Sequence, residues 1–271
     1  KNICMKQLTL DTPFATVFET EISAISAYYG LPETAIQQTA KPLATYFEHY
    51  WEMVFSETSF ELITAGTGTA FVEKISQAAR QQGLSEETIA LFRSCQQTFP
   101  DAICGLKFCF AADRQPEPTL YVRTKTNVPE VLTFLGQNHS ILTVKLLQQA
   151  LSHSKILYGL GFSEKQGQLY LKTYTIEAIK GENSTETTGF VSHRLWNGQV
   201  DREHKAYLPE VSLYSFAPEE AGLKKLQQFL LHEMNYATAG HLGMLYQNGN
   251  LTETKIYVER VGGIPTDFSA R

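Results

Sequence analysis

One two-strand pattern occurs three times in this chain, and a chain that repeats a supersecondary unit must pair or stack its copies. The first strands read Gly105-Leu106-Lys107-Phe108, Gly159-Leu160-Gly161-Phe162 and Gly243-Met244-Leu245-Tyr246. A partner follows each at hairpin-scale separation: Leu120-Tyr121-Val122-Arg123, Leu169-Tyr170-Leu171-Lys172 and Ile256-Tyr257-Val258-Glu259. Recurrence after 54 and then 84 residues marks a repeat architecture, because one such unit cannot bury its apolar face alone. Side chains alternate across a strand, so in each partner the tyrosine and the charged residue share one face while Leu, Val or Ile take the other.

The polar face carries Tyr121, Arg123 and Lys125, then Tyr170, Lys172 and Tyr174, then Lys255, Tyr257 and Glu259. On the first strands the matching positions are small or cationic: Gly105 and Lys107, Gly159 and Gly161, and Gly243. Glycine inside a strand weakens it and often marks a close approach. If the apolar faces pack under helices, the polar faces point together and line a lumen with cations, phenols and empty space.

Between the hairpins the apolar spacing is helical. Helices are expected over about 13–54, split at Gly30-Leu31-Pro32 and kinked at Pro42, then over about 69–82, 85–97, 128–137 and 140–153, with another starting at Pro218-Glu219-Glu220. Ser59 to Thr64 reads as a short strand, and hairpins are expected over about 103–125, 155–176 and 240–261. A weakly helical or irregular Glu/Ser/Thr stretch leads to a less regular pair at about 189–196 and 206–214. Nothing reads as a linker, so residues 1–271 are expected to form one domain. Four or five hairpins give some eight to ten strands, enough to close a barrel with helices outside and no exposed edge.

Net charge is −5 and the isoelectric point about 5.8, which argues against a nucleic-acid or anionic-membrane surface while leaving room for a local basic pocket. No apolar run approaches a membrane span and no signal-peptide core opens the chain, so a cytoplasmic protein is expected. Cys4, Cys95, Cys104 and Cys109 show no metal-binding or paired spacing and read as reduced thiols, with Cys104 and Cys109 on opposite faces of one strand.

Four short elements, Arg123-Thr124-Lys125, Lys172-Thr173-Tyr174, Lys205-Ala206-Tyr207 and Lys255-Ile256-Tyr257, place a cation and a second cation or a tyrosine at alternate strand positions. In these elements and in its helix-hairpin order the chain resembles the aromatic prenyltransferases of the ABBA type over about residues 50–261. The resemblance implies an α+β fold: a closed antiparallel barrel of ten strands or nearly so, helices outside, active site in the lumen. It implies transfer of a dimethylallyl or geranyl group from an allylic diphosphate to an aromatic acceptor, an indole, a phenol or an aromatic side chain. It also implies that Lys107, Arg123, Lys125, Lys172, Lys205 and Lys255 hold the diphosphate and that Tyr121, Tyr170, Tyr174, Tyr207, Tyr214 and Tyr257 shield the allyl cation. No aspartate-rich metal-diphosphate motif occurs, and basic residues can do the work of magnesium in this family; no cofactor is expected to be required, with magnesium possible alongside the diphosphate.

The chemistry stands on its own terms. Ionising an allylic diphosphate builds negative charge on the leaving group and positive charge on the prenyl carbons, so fixed cations are needed at one end and ring faces without nucleophiles at the other. The acceptor must then lose a proton, for which Glu61 on the early strand is the candidate base. The same lysines and tyrosines also suit a non-enzymatic sheet or barrel that binds an anionic or amphipathic small molecule. Burial separates the two: catalysis needs the cations beneath a tyrosine layer, whereas a binder can leave them at a rim.

Overall fold

A computed structural model describes residues 14–43, 50–138, 141–180, 186–247 and 249–261. The chain opens with α1 (Phe14–Tyr29) and α2 (Glu33–Ala40), then a 3-10 turn at Lys41–Leu43 and the hairpin β1 (Tyr50–Phe55) and β2 (Phe60–Gly66). The pair α3 (Thr69–Gln81) and α4 (Glu86–Thr98) leads to β3 (Ile103–Ala111) and β4 (Arg114–Asn127). Next come α5 (Val128–Asn138) and α6 (Ile141–Ala150), then β5 (Ile156–Lys165), β6 (Gln168–Lys180), β7 (Glu186–Trp196) and β8 (Gln199–Ser212). The last elements are α7 (Ala221–His232), β9 (Thr238–Gln247) and β10 (Asn250–Val261). Every strand pairs antiparallel with its sequence neighbours, and β1 pairs with β10 from Tyr50↔Val261 to Phe55↔Ile256, which closes a ten-stranded barrel. This is the barrel that the repeated hairpins and the ABBA resemblance lead one to expect.

Local chemistry explains the boundaries. Gly30, with φ 66, takes the left-handed conformation that ends α1, and Pro32 sits in extended backbone just before α2. Ser85 caps α4 by accepting a hydrogen bond from the backbone N–H of Thr88. Gln166-Gly167 and Asn197-Gly198 have positive φ at both positions, as two-residue hairpins between right-twisted strands require.

The strands alternate as their sequence demands. Outward residues such as Leu106, Phe108, Leu120, Val122, Leu160 and Phe162 join one buried cluster with Phe71 and Ile75 of α3, Phe92 of α4, Leu135 of α5 and Leu226 of α7. Phe92 meets Phe162 edge-on at 6.1 Å, and Phe229 of α7 stacks on Tyr28 of α1 at 4.3 Å. Helices therefore lie outside the barrel, and the inward positions are left to polar side chains. No helix among the described residues is long and apolar enough to cross a membrane.

Three expectations need correction. Residues 50–55 form a strand, not the end of a helix: Tyr-Trp-Glu-Met-Val-Phe is buried on both faces, so its sequence lacks the alternation that betrays a half-exposed strand. The Glu/Ser/Thr-rich stretch continues as strand to Lys180 and resumes as strand at Glu186, with 181–185 outside the described residues. The pair expected at 189–196 and 206–214 is a full hairpin whose second strand starts at Gln199, because Asn197-Gly198 supplies the tight turn.

The strand glycines make room for rings. A Cβ at Gly243 would stand 2.8 Å from Cε2 of Tyr257 and 3.4 Å from Cε1 of Tyr207; one at Gly161 would stand 3.1 Å from Cε1 of Tyr121. Gly243→Ala is expected to push Tyr257 off its rotamer and lower stability by about 1–3 kcal/mol, the usual cost of overpacking. Chemical denaturation with near-ultraviolet circular dichroism checks this, and an unchanged midpoint with an unchanged aromatic signal would contradict the tight fit.

Candidate functional site

Inward positions of the successive strands build the site. Its centre is Glu61 on β2, whose carboxylate accepts from Nζ of Lys255 at 2.8 Å and from Nζ of Lys107 at 3.0 Å. All three side chains are withdrawn from solvent, at 6% exposure for Glu61, 11% for Lys255 and 13% for Lys107. Burial alone would raise the pKa of Glu61, yet Lys107, Lys255 and the more distant Lys205 hold it well below the usual carboxylate range. Burial would discharge the two lysines, but Glu61, helped by Tyr121 and Cys109 at Lys107 and by Glu253 at Lys255, raises both their pKa values.

Lys172 on β6 has the opposite fate. Burial, together with Lys107, Lys205 and Lys255, pushes its pKa down to about 7, and Glu203 only partly offsets them. Its Nζ lies 5.3 Å from the centre of the Tyr170 ring. Glu203 on β8 is buried, accepts from Ser192 Oγ at 3.1 Å and sits 3.7 Å from Arg194. Four lysine amines from β3, β6, β8 and β10 thus share one electrostatic neighbourhood with the carboxylates of Glu61, Glu203 and Glu253, the last 3.5 Å from Lys255. That excess of positive charge inside a barrel wall is what a multiply charged anion would neutralise.

Tyrosines form the next layer. The ring centroids of Tyr121 and Tyr174 are 6.2 Å apart, and those of Tyr207 and Tyr257 are 6.0 Å apart. Burial is the main cause that raises the pKa values of Tyr174 and Tyr257, so both stay neutral phenols. Phe190 of β7 meets the edge of Tyr207 at 5.7 Å and of Tyr158 at 6.4 Å, which extends the aromatic wall. On the same side Tyr207 also meets His241 of β9 at 5.1 Å, and His241 stacks on Tyr257 at 4.1 Å.

Arg123 belongs to this second neighbourhood. It lies further from its hairpin turn than Tyr121, and the groups that counter its burial and raise its pKa are Tyr50, Glu52, Tyr207 and Tyr174, contributed by β1, β8 and β6. Its side chain is accessible to solvent although protein surrounds it, as a side chain in an open lumen would be. The lumen is therefore graded: lysines with Glu61 and Glu203 toward the hairpin turns, then phenol rings, then Arg123 with Glu52 and His241.

Of the residues expected at the site, Glu61, Lys107, Lys172, Lys205 and Lys255 come together, with Tyr170 beside Lys172, and Tyr121, Tyr174, Tyr207 and Tyr257 layer next to them. Tyr214 does not join them: β8 ends at Ser212, the chain turns away, and Tyr214 is 65% exposed. Lys125 lies within an irregularity of β4 between Arg123 and Thr126, is exposed, and is not among the leading charges acting on Glu61, Lys172 and Arg123. Glu61 is a weaker base than a free carboxylate, since two ammoniums occupy it. Cys104 faces the outer core, where burial pushes its thiol up to about 12, and Cys109 faces the lumen side near Glu61. Among the described residues no three His, Cys, Asp or Glu side chains cluster as metal ligands.

Four residues escaped the sequence reading. Glu52 lay in the segment read as helix; Arg194 sat in the first strand of the less regular pair and Glu203 between its two expected strands; His241 was one of seven scattered histidines. The parity of His241 with Gly243 was a usable signal, because both occupy inward positions of one strand.

Lys172 links the cluster to stability. In the unfolded chain it keeps its proton up to about 10.5, and in the barrel it releases it near 7. Between those values the unfolded chain binds more protons, so this group makes stability rise with pH and imposes its full cost below 7. Lys172→Met is expected to raise the melting temperature at pH 6 and to flatten the dependence between pH 7 and 10; a lower melting temperature at pH 6 would contradict the crowding.

Similar folds are known. The 6-dimethylallyltryptophan synthase of Micromonospora olivasterospora, solved in complex with DMASPP and Trp, superposes with a TM-score of 0.60 over 92% of this chain and 98% of its own, at 11% identity. A second solved structure, also a 6-dimethylallyl tryptophan synthase, gives a TM-score of 0.58 over 93% and 98% at 11% identity. Neither a protein-family model nor a curated protein sequence matches the chain.

Proposed function

We propose that this chain, which has the ABBA-type prenyltransferase fold, moves a prenyl group from an allylic diphosphate to an aromatic acceptor by ionisation and electrophilic substitution in the lumen. One observation carries this: a buried excess of ammonium charge lies directly beside a layer of neutral phenol rings. Lys107, Lys172, Lys205 and Lys255 take the diphosphate, and its arrival recharges Lys172. As the allylic C–O bond lengthens, charge grows on the bridging oxygen, where the lysines stabilise it. The positive carbons meet the faces of Tyr121, Tyr174, Tyr207 and Tyr257, an attraction that strengthens when water is excluded.

The acceptor takes the side of the rings away from the lysines, near Arg123, Glu52 and His241. An indole or phenol suits it, because both offer an electron-rich ring and one hydrogen-bond donor that the Glu52 carboxylate can accept. The likeness to enzymes named for dimethylallyltryptophan supports the reaction class. The ammoniums carry the neutralising role, with magnesium an optional companion of the diphosphate.

Incubation with dimethylallyl or geranyl diphosphate and a panel of indoles and phenols, with magnesium or with chelator, should yield prenylated product by mass spectrometry. Consumption of neither donor with any acceptor would instead favour a passive anion-binding barrel. In Tyr174→Ala, water gains access to the cation, so the ratio of prenyl alcohol to aromatic product should rise several-fold. An active enzyme whose ratio does not change would remove Tyr174 from the shield.

A further inference from the structure

Electrophilic substitution leaves the acceptor ring with one proton too many, and the lumen must hold a group able to take it. Glu61 is occupied by two ammoniums, and placing a third cationic proton there works against both ion pairs. On the other side of the tyrosines His241 Nε2 lies 3.8 Å from Glu52 Oε1, with 21% of the histidine side chain and 4% of the glutamate side chain exposed. The imidazole is packed flat on Tyr257 and meets Tyr207 edge-on, so its plane is fixed by the same rings that flank the prenyl carbons. Its strand partners are Tyr257 on β10 and Pro209 on β8, which sets it one inward position from Gly243. Gly243 is the gap that the two tyrosine rings fill.

We propose that His241 is the base that receives the acceptor's proton, with Glu52 as its positioning residue. This rests on the prenyl-transfer reading above and supplies its last step. The C–O bond of the donor breaks and its electron pair leaves with the diphosphate. An acceptor ring carbon bonds the allylic carbon and carries the positive charge into the ring. The C–H bond at that carbon then gives its electron pair back to the ring while the proton passes to a ring nitrogen of His241. The imidazolium forms beside the Glu52 carboxylate, which stabilises it as a carboxylate stabilises any adjacent histidinium. After product release the proton returns to solvent through the exposed part of the ring.

The test is a pair of variants, His241→Gln and Glu52→Gln, assayed with acceptor bearing hydrogen or deuterium at the attacked carbon. Prenyl alcohol is measured beside aromatic product, and circular dichroism verifies folding. For His241→Gln we expect aromatic product to fall about 100- to 10,000-fold, the deuterium isotope effect on product formation to exceed that of wild type, and donor cleavage to prenyl alcohol to persist. Glu52→Gln should move the isotope effect in the same direction by less. Added imidazole should restore product in His241→Ala, which also serves if the glutamine variant does not fold. Folded variants with wild-type product yield and an unchanged isotope effect would overturn the assignment while leaving prenyl transfer intact. Wild type that cleaves no donor would overturn both.

Discussion

The contact on which the interior depends is the grip of one carboxylate on two lysines from different parts of the barrel. Glu61 on β2 holds Lys107 on the adjacent β3 and Lys255 on β10, and β10 is reached only across β1, the strand that completes the ring. Without that carboxylate, Lys107, Lys172, Lys205 and Lys255 would face one another with only Glu203 and the partly exposed Glu253 as compensation. Removing one partner of such a buried pair typically costs about 3–5 kcal/mol, because the remaining charges stay dehydrated and unmatched. With Glu61 in place two lysines remain firmly charged and the third, Lys172, is poised near neutrality. The resting lumen is thus stable but incompletely neutralised, and an arriving anion completes it.

Packing and chemistry come from the same alternation. Outward positions carry the Leu, Val and Phe side chains that hold the helices, so the wall is fixed from outside. Inward positions pair a small residue on one strand with a ring or a cation on the next: Gly161 lies between Tyr121 and Lys172, and Gly243 between Tyr207 and Lys255. Ring contacts between neighbouring tyrosines, and the stack of His241 on Tyr257, then hold the layer together. A layer rigid at that level can face a cation without collapsing onto it.

Much of this was legible in the residues. The three hairpins that alternate cleanly also show glycine, tyrosine and cation at fixed parity, so their pairing, their polar face and the lysines Lys107, Lys172 and Lys255 near Glu61 could be read directly, whereas Lys125, read by the same rule, lies apart. Misreading followed where alternation was masked. β1 is buried on both faces and so resembles a helix interior, which hid Glu52. β7 and β8 carry charged residues on outward as well as inward positions, which blurred the alternation around Arg194 and Glu203. Tyr214 does not share the parity of Lys205 and Tyr207 and lies two residues past the end of β8, so nothing in the alternation itself placed it in the lumen. The division of the cations into a lysine cluster and a separate Arg123 depends on strand tilt and on the bulges of β4 and β5, which no single strand's sequence encodes.

The measurement that bears most directly on the account is a crystal structure with an unreactive thiolo analogue of dimethylallyl diphosphate. The diphosphate should lie among Lys107, Lys172, Lys205 and Lys255, with the prenyl carbons against Tyr174 and Tyr257 and the Glu61 ion pairs intact. A diphosphate bound instead beside Arg123 and His241, or outside the barrel altogether, would contradict it.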